Sequence, residues 1–149
     1  MKNLLLSIWI VVSAFTVQNA QTENKDKKAS LVIELQGVRN SNGILRIAIF
    51  EKNAGFPDNA EKAVKHISVH AQAGTKTVEI NDLPYGEYAI SLLHDENGNG
   101  KMDFNIFGIP VEGYGFSNNP RIILSAPSFN DSKFGVFSDT ESIQVQVKY

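Results

Sequence analysis

Apolar residues recur at every second position in several short runs of this chain. The three-to-four spacing of an amphipathic helix is absent beyond the first twenty residues. In LVIELQG, Leu31, Ile33 and Leu35 alternate with Val32, Glu34 and Gln36, the period of a strand with one buried face. GILRIAIFE repeats the pattern with Leu45, Ile47 and Ile49, and the intervening RNSNG contains Asn42-Gly43. That dipeptide suits a tight turn, so the two runs are expected to pair as a hairpin. The segment KNAGFPDNAEKAV holds Gly55 and Pro57 ahead of a short helix-compatible piece, which makes it a connection. Ile67 and Val69 lead the next strand, and Val78 and Ile80 the one after. NDLPYGEY is turn chemistry built on Asp82, Pro84 and Gly86. Tyr88, Ile90 and Leu92 then share a face, with Glu87, Ala89 and Ser91 opposite, a pattern of one-sided burial.

From residue 95 to about 120 no period is visible, and the stretch holds five of the eleven glycines: Gly98, Gly100, Gly108, Gly113 and Gly115. A loop of that length inside a compact domain is usually either functional or a sign that an element has been missed. Beyond it, Ile122 and Leu124, then Phe134 and Val136, then Ile143, Val145, Val147 and Tyr149 give three more short strands. The last, SIQVQVKY, alternates cleanly and can close an antiparallel sheet. The fold class that follows is all-β: an antiparallel β-sandwich of about seven or eight strands, immunoglobulin-like or prealbumin-like, with one long Gly-rich loop. The order LPYGEYAISLLHD resembles the turn-plus-strand of transthyretin-like and collagen-adhesin B-type sandwiches.

Composition adds limits. With 149 residues, of which 42% are hydrophobic and 20% charged, the chain suits one core and one domain. The formal charge of −2 arises from interspersed signs, which leaves no basic footprint for nucleic acid and no polybasic signal for anionic lipid. MKNLLLSIWIVVSAFTVQNAQ has one positive charge at Lys2, an apolar run from Leu4 to about Val17, and a small residue at Ala20. This is the layout of a secretory signal peptide, and the run is shorter than the roughly 20 residues of a spanning helix. Residues 1–20 are therefore read as a signal peptide, 21–30 as a charged flexible lead-in, and 31–149 as a single exported domain, periplasmic or extracellular, with no transmembrane segment in the mature chain. Cysteine is absent, which removes a disulfide framework, a thiol nucleophile, a cysteine zinc site and a lipoprotein anchor.

HDENGNGKMDF, directly after Leu92, is the stretch most suggestive of chemistry. With Asp95 as position one of a calcium loop, Asn97 falls at three, Asn99 at five, Gly100 at six, Lys101 at seven and Asp103 at nine. Calcium takes six to eight oxygens, and alternate side chains of a tight turn converge where a glycine permits the bend. Lys101 would give its carbonyl. Position twelve is Ile106, not the bidentate Glu of an EF-hand, so Glu112 is the expected further ligand and the affinity should be weak, about 10⁻⁴ to 10⁻³ M. The alternative is a polar turn that needs no ion. His94 continues the Tyr88, Ile90 and Leu92 face and is read as packed. Phe104, Phe107, Tyr114 and Phe116 crowd the same loop. They either project as a surface for a glycan or a protein, or fold back as a satellite core. No GxSxG elbow, HExxH spacing or phosphate-cradling glycine motif is present. A glycoside-active pair such as Asp95 and Glu112 would depend on a separation that sequence cannot give.

HDENGNGKMDFNIFGIPVEGYGFSNN, followed by APSFNDSKF and SIQVQVKY, resembles the bacterial exported family catalogued as domain of unknown function 2141, from about Leu31 to Tyr149. The resemblance implies a small secreted domain with no established activity. Its most characteristic positions here are His94, Asp95, Asn97, Asn99, Gly100 and Asp103, then Gly108, Ile109, Pro110, Glu112, Gly115, Phe116, Ser117 and Asn118. Phe104 stands where a small polar residue such as threonine is expected, and Ser132 where alanine is expected. The reading that results is a secreted, non-enzymatic β-sandwich with a calcium-organised loop facing an unidentified partner. A carbohydrate-binding module using the loop aromatics is the alternative, and a glycoside-active enzyme comes third.

Overall fold

The computed structural model describes residues 26–122 and 125–149. The expected signal peptide and the first part of the lead-in lie outside the described residues. Eight strands form two sheets. β1 (Lys28–Val38), β4 (Gly74–Pro84) and β8 (Thr140–Gln146) make a three-stranded sheet in the order β4-β1-β8. β2 (Ile44–Phe50), β3 (Lys65–His70), β5 (Gly86–Asp95) and β6 (Gly113–Phe116) follow the order β3-β2-β5-β6, with β7 (Phe134–Val136) on the first residues of β5. The molecule is an all-β sandwich, as the alternation predicts.

The core is built from the residues the period of two points to. Leu31, Ile33 and Leu35 of β1, Val78 and Ile80 of β4 and Val145 of β8 face Leu45, Ile47 and Ile49 of β2 and Tyr88, Ile90 and Leu92 of β5. Ile67 and Val69 close the cluster from the β3 edge. Burying such side chains stabilises by roughly 1.5–3 kcal/mol each before chain entropy is set against it.

Several pairings differ from expectation. β1 and β2 do not form a hairpin, because the chain crosses from one sheet to the other between them. The Asn42-Gly43 turn is held instead to the end of β5: the Asn42 carbonyl accepts from His94 Nε2 at 2.8 Å. Gly43, at φ 67°, presses so close that a Cβ there would meet the Asp95 carbonyl oxygen. β8 pairs with β1 in parallel, not antiparallel, with Ile33 opposite Ile143 and Leu35 opposite Val145. Ile122 lies in no strand, and Leu124 lies outside the described residues. The loop expected to be structureless contains β6, antiparallel to β5 over Ser91–His94. Strand β1 starts at Lys28, inside the expected lead-in, and Ala29 is buried.

Burial on β5 is also two-sided. Ala89, on the face opposite Tyr88 and Ile90, packs in a second cluster with Ala48, Phe50 and Phe129. Phe56, from the 51–64 connection, is its hub, with ring centroids 5.3 Å from Phe50, 6.0 Å from Phe129 and 6.1 Å from Phe116. Phe129 arrives on the short helix α1 (Phe129–Ser132), whose start is fixed by a capping box in which Ser128 and Asp131 exchange hydrogen bonds. The connection itself contains only a 3₁₀ turn at Ala60–Lys62.

Candidate functional site

Adjacent residues of a strand point to opposite faces, and at the end of β5 this sends His94 and Asp95 to different tasks. His94 turns inward and is fully buried. Its Nε2 faces the Asn42 carbonyl, which can only accept, so that nitrogen carries the proton. Nδ1 then accepts from the Tyr149 hydroxyl at 2.7 Å. Burial holds the Tyr149 phenol above its ordinary pKa, and Arg39 stacks on its ring with Cζ 4.3 Å from the centroid. His94 is thus packed, as the strand pattern predicts, and plugs the end of the core.

Asp95 turns outward beneath the loop and is also fully buried. Gly98 N–H donates to its Oδ1 at 2.8 Å and Gly100 N–H to its Oδ2 at 2.9 Å. The Arg46 guanidinium donates to Oδ2 from β2 at 2.6 Å. Burial pulls this carboxyl upward, but the Arg46 hydrogen bond, the two backbone donors and the Arg46 charge outweigh it, so its pKa lies below the ordinary value. Both glycines have positive φ, 79° and 78°, which lets the chain wrap the carboxylate closely.

The exposed part of the same lobe converges on Asp103. Asn97 Nδ2 and Asn99 Nδ2 both donate to Asp103 Oδ2, at 2.6 and 2.9 Å. Asn97 Oδ1 accepts from Asn99 N–H, and Asn99 Oδ1 from Lys101 N–H. Glu112, 3% exposed, ties the loop's two ends, accepting from Glu96 N–H at 3.0 Å and Asp103 N–H at 3.3 Å. The six expected metal ligands are therefore neighbours in one lobe, divided between a buried part, Asp95 and Glu112, and a surface part, Asn97, Asn99, Lys101 and Asp103. Among the described residues, no group of three or more His, Cys, Asp or Glu side chains is clustered so as to hold a metal ion; a cation in this lobe would depend on amide and carbonyl oxygens as well.

Above this lobe a second, smaller one forms a tight tip. Asn105 N–H donates to the Ile109 carbonyl and Gly108 N–H to the Asn105 carbonyl. The Asn105 side-chain oxygen accepts from both Phe107 N–H and Ile109 N–H. Val111 N–H reaches back to the Asp103 carbonyl at 3.0 Å. Of the four loop aromatics, Phe104 and Phe107 stand on this tip, 59% and 80% exposed, beside Ile106 at 93%, Ile109 at 57% and Val111 at 43%. Tyr114 is half-buried and tilts against Phe116. Phe116 is buried against Phe56. The structure therefore joins the first two aromatics and sends the second pair into packing.

Arg46, Arg39 and Asn119 had no sequence signal strong enough to single them out, and Ser117 and Asn118 were marked by the family resemblance alone. Arg46, a lone cation on the outer face of β2, neutralises Asp95. Arg39 spans Glu96, at 2.6 Å, and the Val111 carbonyl, at 3.0 Å, and with Asn40 it depresses the Glu96 pKa against the opposing pull of burial. Ser117 and the two asparagines after it stitch loop to strand: Ser117 Oγ accepts from Ile90 N–H, and Asn119 exchanges hydrogen bonds with Gln144 and Gln146 along the β8 edge.

Residues 33–144 match a family model described as uncharacterized protein conserved in bacteria (DUF2141). The chain belongs to this family. The match spans every strand but the outermost residues of β1 and β8, and it includes the whole of the loop, so the Asp95 wrap, the Glu112 staple and the Ser117–Asn119 stitches of this DUF2141 chain all fall within it. No curated protein and no solved structure matches the chain.

Proposed function

We propose that this DUF2141 chain is an exported, non-enzymatic binding module whose loop tip is the working surface, with calcium as an organiser of the lobe beneath. One observation carries the reading. Of the eight large hydrophobic side chains exposed among the described residues, five lie between Phe104 and Val111. Scattered exposed apolar residues are ordinary, but a contiguous group on an internally braced turn is the mark of a contact surface. Absence of catalysis fits the way His94, Asp95 and Glu112 spend their hydrogen-bonding groups on the scaffold of the loop.

The calcium part rests on the convergence of Asn97, Asn99 and Asp103. With their amide oxygens turned inward, these side chains and the Lys101 carbonyl would hold the ion, which would supply a fixed positive charge that locks the lobe. Asp95 and Glu112 would join only by sharing oxygens that already accept N–H donors. Arg46 opposes a second cation on Asp95, which keeps affinity in the weak range of about 10⁻⁴ to 10⁻³ M. Calorimetric titration of chelator-treated protein should return that range, and Arg46→Gln should bind calcium at least tenfold more tightly. Equal affinity in both proteins would remove Asp95 from the site, and no heat in either would remove calcium.

The module itself is tested in the envelope of cells making the full chain. A photoreactive residue in place of Ile106 should give cross-linked adducts that the same residue in place of exposed Phe137 does not. The mature protein should begin near Gln21. Adducts of equal yield from both positions would sink the tip as a working surface.

A further inference from the structure

We infer that the tip inserts into the interfacial region of a phospholipid bilayer, a partner assignment that rests on the tip being the working surface. The argument begins with charge. From Phe104 to Val111 the sequence FNIFGIPV carries none, and the flanking carboxylates, Asp103 and Glu112, are engaged by donors of their own loop. Asn105, the one polar side chain in the stretch, uses its oxygen on Phe107 N–H and Ile109 N–H.

Backbone polarity is suppressed in the same way. Asn105, Phe107, Gly108, Ile109 and Val111 give their N–H groups to acceptors within residues 103–109 and Pro110 has none to give, which leaves the Phe104 and Ile106 N–H groups to the hydrated headgroup zone. In hydrocarbon each unsatisfied group costs several kcal/mol, so pairing five of the N–H groups inside the turn lowers the cost of bringing it to the interface, where hydrated headgroups meet the rest.

Size and shape then separate lipid from protein. The exposed side chains crowd one narrow turn, Phe104–Val111, whereas a stable protein interface draws on about 20–30 residues a side. The tip is also convex, with Ile106 93% exposed, and a bilayer needs no complementary groove. Position agrees as well. Lys28, where β1 begins, pairs with Pro84, the last residue of β4 and two residues before β5 starts, whereas the tip follows the end of β5. The ten residues of β5 separate Lys28 from the base of the tip by about 30 Å.

The test is flotation of the mature chain with phosphatidylcholine vesicles. Wild-type protein should float with the vesicles, and Ile106→Asp/Phe107→Asp should lose at least tenfold in bound fraction with an unchanged melting temperature. Phe137→Asp should bind like wild type, and raising salt from about 0.1 to 0.5 M should leave binding unaltered, because no basic patch contributes. Failure of wild-type protein to float, or equal flotation of the double variant, overturns the lipid assignment. Sedimentation separates that outcome from failure of the broader reading. A wild-type dimer that the double variant abolishes would make a second copy the partner of the tip and would overturn lipid alone. Loss of the Ile106 cross-links described above would overturn both.

Discussion

Replacing Asp95 by asparagine removes a charge on which three N–H donors converge, one of them cationic. Breaking a buried pair costs about 3–5 kcal/mol, and the lower end applies because the Arg46 side chain stays 36% exposed. We expect Asp95→Asn to lose about 3 kcal/mol in urea unfolding. The same carboxylate governs acid stability. Its folded pKa, like that of Glu96, lies below the unfolded value of about 4, so its contribution is complete above that value and is lost as pH falls through the folded one. Stability measured downward from about pH 5 should decline less steeply in Asp95→Asn than in wild type; an identical slope would exclude Asp95 as the source. Ser132 presents the opposite case. Its Oγ is buried without a hydrogen-bond partner, and an unsatisfied buried hydroxyl is a cost that alanine removes. Ser132→Ala should therefore be neutral or stabilise by up to about 1 kcal/mol, and a loss beyond that would reveal a partner for the hydroxyl.

At the level of elements, the strands with one buried face were legible because alternation records burial directly, as in Leu31, Ile33, Leu35 and in Leu45, Ile47, Ile49. What alternation does not record is the neighbour. The Asn42-Gly43 turn reads locally as a hairpin, yet its geometry is set by His94 and Asp95, about fifty residues away in sequence. GYGF was read as loop because its glycines leave no visible period. They are in fact places of close approach: a Cβ on Gly115 would meet the Gln146 carbonyl oxygen at 2.8 Å, and one on Gly113 the Tyr149 ring. In the loop, Asn97 and Asn99 meet on Asp103 while Asp95 is held apart beneath them, and Arg46 stayed invisible because nothing local ties a strand cation to a later carboxylate. The tip lobe gives an element-scale prediction. Asn105→Ala removes the acceptor of two N–H groups without touching the core, so hydrogen exchange at Phe107 and Ile109 should accelerate at least tenfold while the global melting temperature moves by no more than a few degrees. Uniform acceleration across the sheets would mean that the tip is not an independent unit.

The two sheets meet as one molecule along a single side. Tyr114 and Lys148 exchange two backbone hydrogen bonds, at 2.9 and 2.8 Å, which joins β6 to the chain beyond β8, and Asn119 and Gln146 extend the seam. On the other side β3 and β4 remain open edges, where Lys65 Nζ donates to the Asn81 carbonyl at 2.7 Å. A lysine laid across an unpaired edge discourages strand addition there. The closed side also bears on the loop, because Tyr149, one residue past the seam, supplies the hydroxyl that His94 accepts from and that receives Arg39 N–H at 3.0 Å. Arg39 in turn holds Glu96 and the Val111 carbonyl at the base of the tip. Tyr149→Phe keeps the ring and the stacking but removes the hydroxyl, so it should cost about 1–2 kcal/mol. Removal of Lys148 and Tyr149 together should cost more and should loosen the tip as well as the seam. If the tip transmits this strain, hydrogen exchange at Val111 and Gly113 will rise with the truncation and only modestly with Tyr149→Phe. Equal effects would place the coupling in the hydroxyl alone and leave the seam a purely local closure.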